Sequence, residues 1–476
     1  MKLSKLAIIV LPTLLISCST IPDIQNNLKD DNLILKENIG KEQLVYNSNQ
    51  WWKKYNDQSL NKIIEYTLES NKELKIAELN IRKAEIGISS ANSKLGPTVD
   101  LNTAYTREKF SENGPMPILP GYDIVNNQKI GLEGSYNIDL FNKYRSQVKS
   151  ALNKKEAMEF SADWIKTNIV NNVTGLYGEF CYLKFENDYL SEKKIVLNKL
   201  IQMEKKKIAI GKATKDSELK LETDLKSLDI QIDKNRLSRE VIENNLCLLT
   251  GMKYKNEIHT LLEAVLMDKK EKENNILLKE IFVPNEISTE VVRYRPDIKY
   301  YLKLIDSQKE TLNSLKADFY PQIKLQGDFG FEAIDPSNPF NRNSQFGMWG
   351  VGLYLPIFNS GAIKSNYKLG GVDLNIFIED YNKALLTAFN DINNEMIGTK
   401  NSKKSLELSK EKFIYETEIY KLASERKEKG YISENSLLNS EYTLIEKSLE
   451  LLQSEYSLYT QQLKLISSVG GVLENK

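Results

Sequence analysis

The chain has 476 residues, with 65 lysines and arginines against 65 aspartates and glutamates, and a formal net charge of zero. A neutral balance supplies no basic footprint for nucleic acid. His259 is the sole histidine, which removes histidine-based metal clusters and histidine-dependent triads, so neither a metal, a cofactor nor an enzymatic role is expected.

Lys2 and Lys5 precede an apolar run from Leu6 to Ile16, the charged and hydrophobic regions of an export signal. The run is too short to cross a bilayer, which takes about 20 residues. It closes on Leu15-Ile16-Ser17-Cys18, which resembles the lipobox of bacterial lipoproteins. That resemblance implies a signal peptide over residues 1–17 and lipid attached at Cys18. Ser19, where an aspartate would imply retention at the inner membrane, points to the outer membrane. An ordinary signal peptide with an incidental cysteine is the alternative. Cys181 and Cys247 lie in helix-like apolar stretches and read as small hydrophobes; the sequence also allows a disulfide between them.

Four stretches then alternate with period two, which places successive side chains on opposite faces of a strand. They lie at about 98–110, 128–141, 322–334 and 345–357. Ile130, Leu132, Tyr136 and Ile138 alternate with Glu133, Asn137 and Asp139, and Ile323, Leu325, Phe329 and Phe331 with Lys324, Asp328 and Glu332. Two amphipathic hairpins on a soluble core would satisfy this pattern. So would a transmembrane barrel with its apolar face to lipid and a polar lumen lined by Glu133, Asp139, Lys324, Asp328 and Glu332. Four strands cannot close a barrel, since about eight make the smallest useful one, and open edges are not tolerated in lipid. A barrel therefore requires several copies of the chain.

Between and after the hairpins, Asn142 to Ile210 and Ser360 to Lys429 run without proline. At 1.5 Å per residue each reaches about 100 Å if continuous. Both stop at a glycine behind a lysine-rich turn, Gly211 and Gly430, and a second helix returns, Asp216 to Thr250 and Glu434 to Val469. The last of these steps by fours and threes from Leu438 through Tyr442, Ile445, Leu449, Leu452, Tyr456, Tyr459 and Leu463 to Ile466, beside a second row at Leu437, Leu444, Leu451, Leu458 and Leu465. So wide a stripe predicts more than one neighbour. A tube wall and an ordinary helical bundle both fit it.

The two halves match each other. Asn71, Pro97 and Leu101 sit 224 positions before Arg295, Pro321 and Leu325, and Gly211 and Gly251 sit 219 before Gly430 and Gly470. Internal repetition on this scale is the main architectural signal. It divides the chain into an N-terminal segment 18–56, a first repeat 57–251, a linker 252–285, a second repeat 286–470 and a tail 471–476.

These residues resemble the TolC-like outer-membrane efflux proteins, and within them the lipoprotein branch that accompanies RND-type pumps. The resemblance rests on Trp51-Trp52 with Asp57, Leu60 and Ile64; on Asn71-Lys72-Glu73-Leu74; on Tyr136 to Phe141; on Arg293-Tyr294-Arg295-Pro296-Asp297-Ile298; on Phe319-Tyr320-Pro321; and on Leu355 to Gly361. It implies an α+β membrane protein. Three chains would give a homotrimeric twelve-stranded β-barrel continuous with a long α-helical coiled-coil periplasmic tunnel, with residues near 30–56, 252–285 and the C-terminus in an equatorial belt. It further implies outer-membrane lipid, a periplasmic adaptor and an inner-membrane RND-type pump as partners, and passive conduction of drugs, toxic small molecules or metal ions. The outer-membrane channel of a type I protein secretion system is the alternative.

The tunnel's periplasmic end is expected at the turns around Gly211 and Gly430. Relatives commonly carry aspartates six and nine positions after the second glycine, where this chain has Ser436 and Asn439. Asp216 and Glu434 are the nearby acids, readable as gate residues or as ordinary first-turn charges that favour the helix dipole. The expectation is a constriction formed by packing and neutral polar contacts around Leu437, Leu438 and Asn439.

Overall fold

The computed structural model describes residues 21–23, 44–47, 50–111, 124–252, 256–262, 289–334 and 339–475; Cys18 and most of the linker 252–285 lie outside them. In chain order the elements are β1 (Leu44–Asn47), a 3-10 turn (Trp51–Tyr55), α1 (Gln58–Ser70), α2 (Lys72–Ser93), β2 (Thr98–Lys109), β3 (Ile124–Ile138), α3 (Lys143–Ala209), α4 (Lys215–Thr250), α5 (Pro296–Ala317), β4 (Gln322–Ala333), β5 (Gln345–Tyr354), α6 (Ala362–Glu428), α7 (Glu434–Ser468) and β6 (Val472–Asn475). Among the described residues no helix is long and apolar enough to cross a membrane. The chain divides into two compact units.

The first unit comprises Met1–Asp30, Asn80–Glu159 and Tyr300–Asn382. Its centre is an antiparallel sheet in the order β2-β3-β4-β5, so the two hairpins join through β3 and β4. The strands differ from the expected spans mainly at three ends. β3 begins earlier, at Ile124, where it still pairs with Lys109 although Asn126 and Gln128 put polar residues on its apolar face, and it stops at Ile138. β5 stops at Tyr354, two residues before Pro356, which cannot donate to a ladder. Beyond each hairpin the chain turns sharply into a helix at residues of positive φ: Asn142 at 58° on one side, Ser360 at 50° and Gly361 at 83° on the other. Asparagine tolerates this left-handed geometry, whereas for Ser360 it is uncommon.

The helices of this unit pack through small and polar residues. Ser150 Oγ lies 3.0 Å from Ser307 Oγ and 2.9 Å from Thr311 Oγ1, and Gln147 donates to Ser314 Oγ at 3.1 Å. Gln308 Nε2 donates to the Gly370 carbonyl at 3.0 Å, and a side chain added at Gly370 would meet Leu312 and Leu315. Glycine is what lets these two backbones approach.

The second unit comprises Asp31–Leu79, Phe160–Lys299 and Lys383–Lys476. Its core gathers Trp51, Trp52, Tyr55, Leu60, Ile63, Ile64, Tyr177, Phe180, Ile242, Leu246, Ile258, Leu262 and Leu452. Cys181 is buried in this cluster and Cys247 packs against it, both as thiols. Tyr177 donates its hydroxyl to Asp57 at 2.7 Å, while Asp57 also accepts the backbone N–H groups of Ser59 and Leu60 and so caps α1. The periodic stripe of α7 is buried at Leu438, Ile445, Leu452, Leu458, Tyr459, Leu463, Leu465 and Ile466.

Two polar clasps close the return helices of this unit. Asn71 Nδ2 donates to the Leu249 carbonyl at 2.7 Å, and its Oδ1 caps α2 by accepting from Glu73 and Leu74. Arg295 Nη1 donates to the Ser468 carbonyl, while its Nε and Nη2 fork onto Asp297 at 3.0 and 2.8 Å. Each clasp takes a carbonyl near a helix C-terminus that has no partner within its own helix. The Arg295 guanidinium also lies 5.3 Å from the Trp164 ring centroid.

Candidate conduit surfaces

The register of the four-stranded sheet sorts its side chains into two faces. One carries Val99, Leu101, Tyr105, Ile130, Leu132, Leu325, Phe329, Trp349, Val351 and Leu353. No described element covers it: Trp349 is 84 % exposed and Val99 67 %. A soluble protein rarely leaves so continuous an apolar face in water, which counts against hairpins packed on a soluble core.

The opposite face is polar and internally bonded. Glu133 and Asp328 are direct cross-strand partners, an arrangement of like charges that costs stability unless neighbours supply protons or charge. Asn102 Nδ2 donates to Glu133 at 2.9 Å, and Lys129 Nζ donates to Asp328 at 2.7 Å. Glu332 accepts from Asn127 Nδ2 at 2.7 Å. Lys129 also stands 4.5 Å from the Phe346 ring centroid, within cation–π range. Lys324 faces the same side, opposite Asn137 and Gly352. Asp139 differs from the other expected lumen residues. It lies one residue past the end of β3 and accepts the N–H groups of Tyr144 and Arg145 at 3.0 and 2.9 Å, so it holds the start of α3. Lys129, Asn127 and Asn102 were not singled out from sequence. Extending the alternation back from Gly131 would have found Lys129 and Asn127.

In the second unit the two helical turns share one hydrogen-bond pattern. Gly211 (φ 71°) donates to Ile208 and Lys212 to Lys207, and Gly430 (φ 76°) donates to Lys427 and Tyr431 to Arg426. This is the Schellman closure, in which glycine takes the left-handed position. The side chains around the turns differ. At the first, Glu204 accepts from Ser217 Oγ at 2.5 Å and from Lys207 at 2.9 Å, and these bonds hold its carboxyl below the usual range. Asp216 is exposed in the first turn of α4, its carboxyl lowered by the Thr214 hydroxyl. Glu218, two residues further in, is buried and takes Lys215 at 2.5 Å. At the second turn Ser433 caps α7 by accepting from the Ser436 N–H, and Glu434 pairs with Lys427 at 3.0 Å.

Ser436 and Asn439 are exposed. Leu438 is buried with Val196, Leu200 and Ile445, on the inward stripe of α7.

A family model described as outer membrane efflux protein matches residues 63–252 and again residues 289–471. The chain belongs to the outer membrane efflux protein family. Among curated relatives, the putative multidrug resistance outer membrane protein MdtQ of Escherichia coli (strain K12) is 25% identical over 360 residues, covering 73% of this chain and 72% of MdtQ. Toxin and drug export protein A of Aggregatibacter actinomycetemcomitans is 24% identical over 415 residues, covering 86% of this chain and 85% of that protein. The fold is that of the Campylobacter jejuni CmeC outer membrane channel, with a TM-score of 0.78 at 23% identity over 96% of this chain and 94% of CmeC. The Vibrio cholerae outer membrane protein VceC superposes with a TM-score of 0.76 at 20% identity, over 90% of this chain and 100% of VceC.

Proposed function

We propose that this chain is one subunit of a homotrimeric outer-membrane channel in a tripartite efflux system. It receives drugs, toxic small molecules or metal ions from an inner-membrane RND-type pump through a periplasmic adaptor, and conducts them passively to the exterior. The observation that carries this reading is the sheet: an uncovered apolar face, a bonded polar face, and unpaired outer edges on β2 and β5. Lipid satisfies the first, a water-filled lumen the second, and neighbouring copies the third. Three copies of four strands give twelve, continuous with a helical tunnel built from α3, α4, α6 and α7.

Two matches to one family model support an internal duplication. So do the paired glycine turns and the paired clasps, Asn71 on Leu249 and Arg295 on Ser468. The polar face, including Glu133, Lys324, Asp328 and Glu332, lines the lumen, and the tunnel's periplasmic gate lies at Asp216, Glu434, Ser436 and Asn439. Cys18 carries the lipid anchor.

The test is conductance of the purified mature chain in planar bilayers. Discrete channel openings are expected, and Asn439→Ala should raise the open conductance or open fraction. A chain that inserts but never conducts refutes the channel, and an unchanged Asn439→Ala channel removes Asn439 from the gate. Cys18→Ser should abolish lipid labelling; normal labelling would rule that residue out.

A further inference from the structure

In the second unit a cavity of about 470 Å³ lies between α3, α6 and α7. Its lining includes three rings, Phe185, Tyr189 and Phe413, and three carboxylates, Asp188, Glu192 and Glu455. None of its lining residues is a lysine or arginine. Its volume falls in the range of sites that take drug-sized molecules.

We propose that this cavity is a binding site for hydrophobic organic cations, held against the Phe185, Tyr189 and Phe413 rings with Glu455 as their counter-charge. Aromatic faces attract a cation that has shed its water, and a carboxylate on the same wall supplies the opposite charge that rings alone do not.

Three lysines on these helices are committed elsewhere. Lys412 pairs with Glu450 at 2.5 Å, Lys447 with the same carboxylate at 2.9 Å, and Lys193 with Glu446 at 2.9 Å. Among the described residues Glu455 makes no ion pair, and Lys410 on α6 acts on it only at a distance. Burial accordingly lifts the Glu455 carboxyl to about 7, with Lys410 offsetting part of that rise. From α3 the groups facing it are Asp188, Glu192 and the Tyr189 phenol, none of them a source of positive charge. A bound cation would supply it.

This inference stands apart from the efflux reading, because binding is measured without transport. The probe is tetraphenylphosphonium, with tetraphenylborate as an anion of the same shape. Each is titrated calorimetrically into the full chain in nanodiscs of zwitterionic lipid, with empty nanodiscs subtracted. Saturable phosphonium binding is expected, with tetraphenylborate weaker by at least about ten-fold. Glu455→Gln, which keeps the cavity's shape, should weaken phosphonium binding by about ten-fold, and Phe413→Ala should weaken it similarly. Glu418→Gln, an exposed carboxylate near Lys421 on α6, should leave it unchanged. Lowering the pH from 8 to 6 should weaken binding to the wild-type chain and not to Glu455→Gln. Absence of saturable binding, equal affinity of Glu455→Gln, or borate bound as tightly as phosphonium would each overturn the proposal. Loss of conductance with binding retained would instead count against the channel and leave the site standing.

Discussion

Gly178→Ala should destabilise the chain although alanine is the better helix former. Gly178 lies inside α3, where replacing glycine by alanine contributes about 1 kcal/mol of helix stability on its own. The structure reverses that sign. An added Cβ would stand 2.5 Å from Cζ and 2.7 Å from Oη of Tyr459, and closer still to Cε1. The ring has little room to retreat: Tyr459 is buried, sits between Tyr55 and Tyr456 at centroid distances of 5.8 and 6.5 Å, and donates to the Thr174 carbonyl at 2.5 Å. Overpacking of this kind costs about 1–3 kcal/mol. Pulling the hydroxyl off a buried carbonyl adds about 1–3 kcal/mol. After the propensity gain the net loss is about 1–5 kcal/mol, an apparent melting midpoint lower by roughly 1–5 °C for a chain of 476 residues. The assay is thermal denaturation of the purified chain in one detergent, with Gly175→Ala alongside. Gly175 lies three residues away, and its added Cβ would meet only Leu463 Cδ1 at 3.9 Å, an ordinary contact. Gly175→Ala should melt at or slightly above the wild type. A Gly178→Ala chain as stable as the wild type, or a Gly175→Ala chain equally damaged, would refute the packing argument.

Arg295→Ala should cost about 1–3 kcal/mol, since it takes the fork from half-buried Asp297 and the donor from the Ser468 carbonyl; a thermal midpoint no lower than the wild type's would contradict it. Arg295→Lys should recover only part of the loss, because lysine keeps the charge and not the planar fork. The polar sheet face carries Asp100, Glu108, Glu133, Asp328 and Glu332 against Lys129 and Lys324, so the open channel should prefer cations. Glu332→Lys should shift the reversal potential in a salt gradient toward anions, and an unmoved potential would place Glu332 outside the conduction path. For Glu455 the folded-state carboxyl, raised to about 7, stands above its ordinary value of 4.5. A raised carboxyl favours the folded chain at low pH, and that advantage fades as pH rises through about 7. Glu455→Gln should therefore gain stability over the wild type as the pH goes from 6 to 8, and a constant gap in melting midpoint would contradict this.

Much of the fold was legible because its signals are periodic. Alternation marked all four strands, and proline-free runs ending in Gly211 and Gly430 marked the long helices within a few residues of their ends. The start of β3 was misjudged because Asn126 and Gln128 occupy what becomes its apolar face, interrupting the hydrophobic pattern there. Asp139 continues the alternation in sequence, yet the chain leaves the strand at Ile138 and the carboxylate turns to cap α3. Leu438 belongs to both the buried stripe and the neighbourhood of the turn, and its packing with Val196 and Leu200 is not visible in the sequence. The clasp of Arg295 on Ser468 joins residues 173 positions apart, and no local pattern announces such a pair. The same holds for the Glu455 cavity, which draws its walls from three helices.

The central claim is that four strands from one chain are a fraction of a closed barrel. Native mass spectrometry of the mature chain, extracted from membranes in mild detergent, tests it most directly. A trimeric barrel gives one dominant species at three times the subunit mass. A dominant species at one subunit mass that stays dispersed after detergent removal would contradict it.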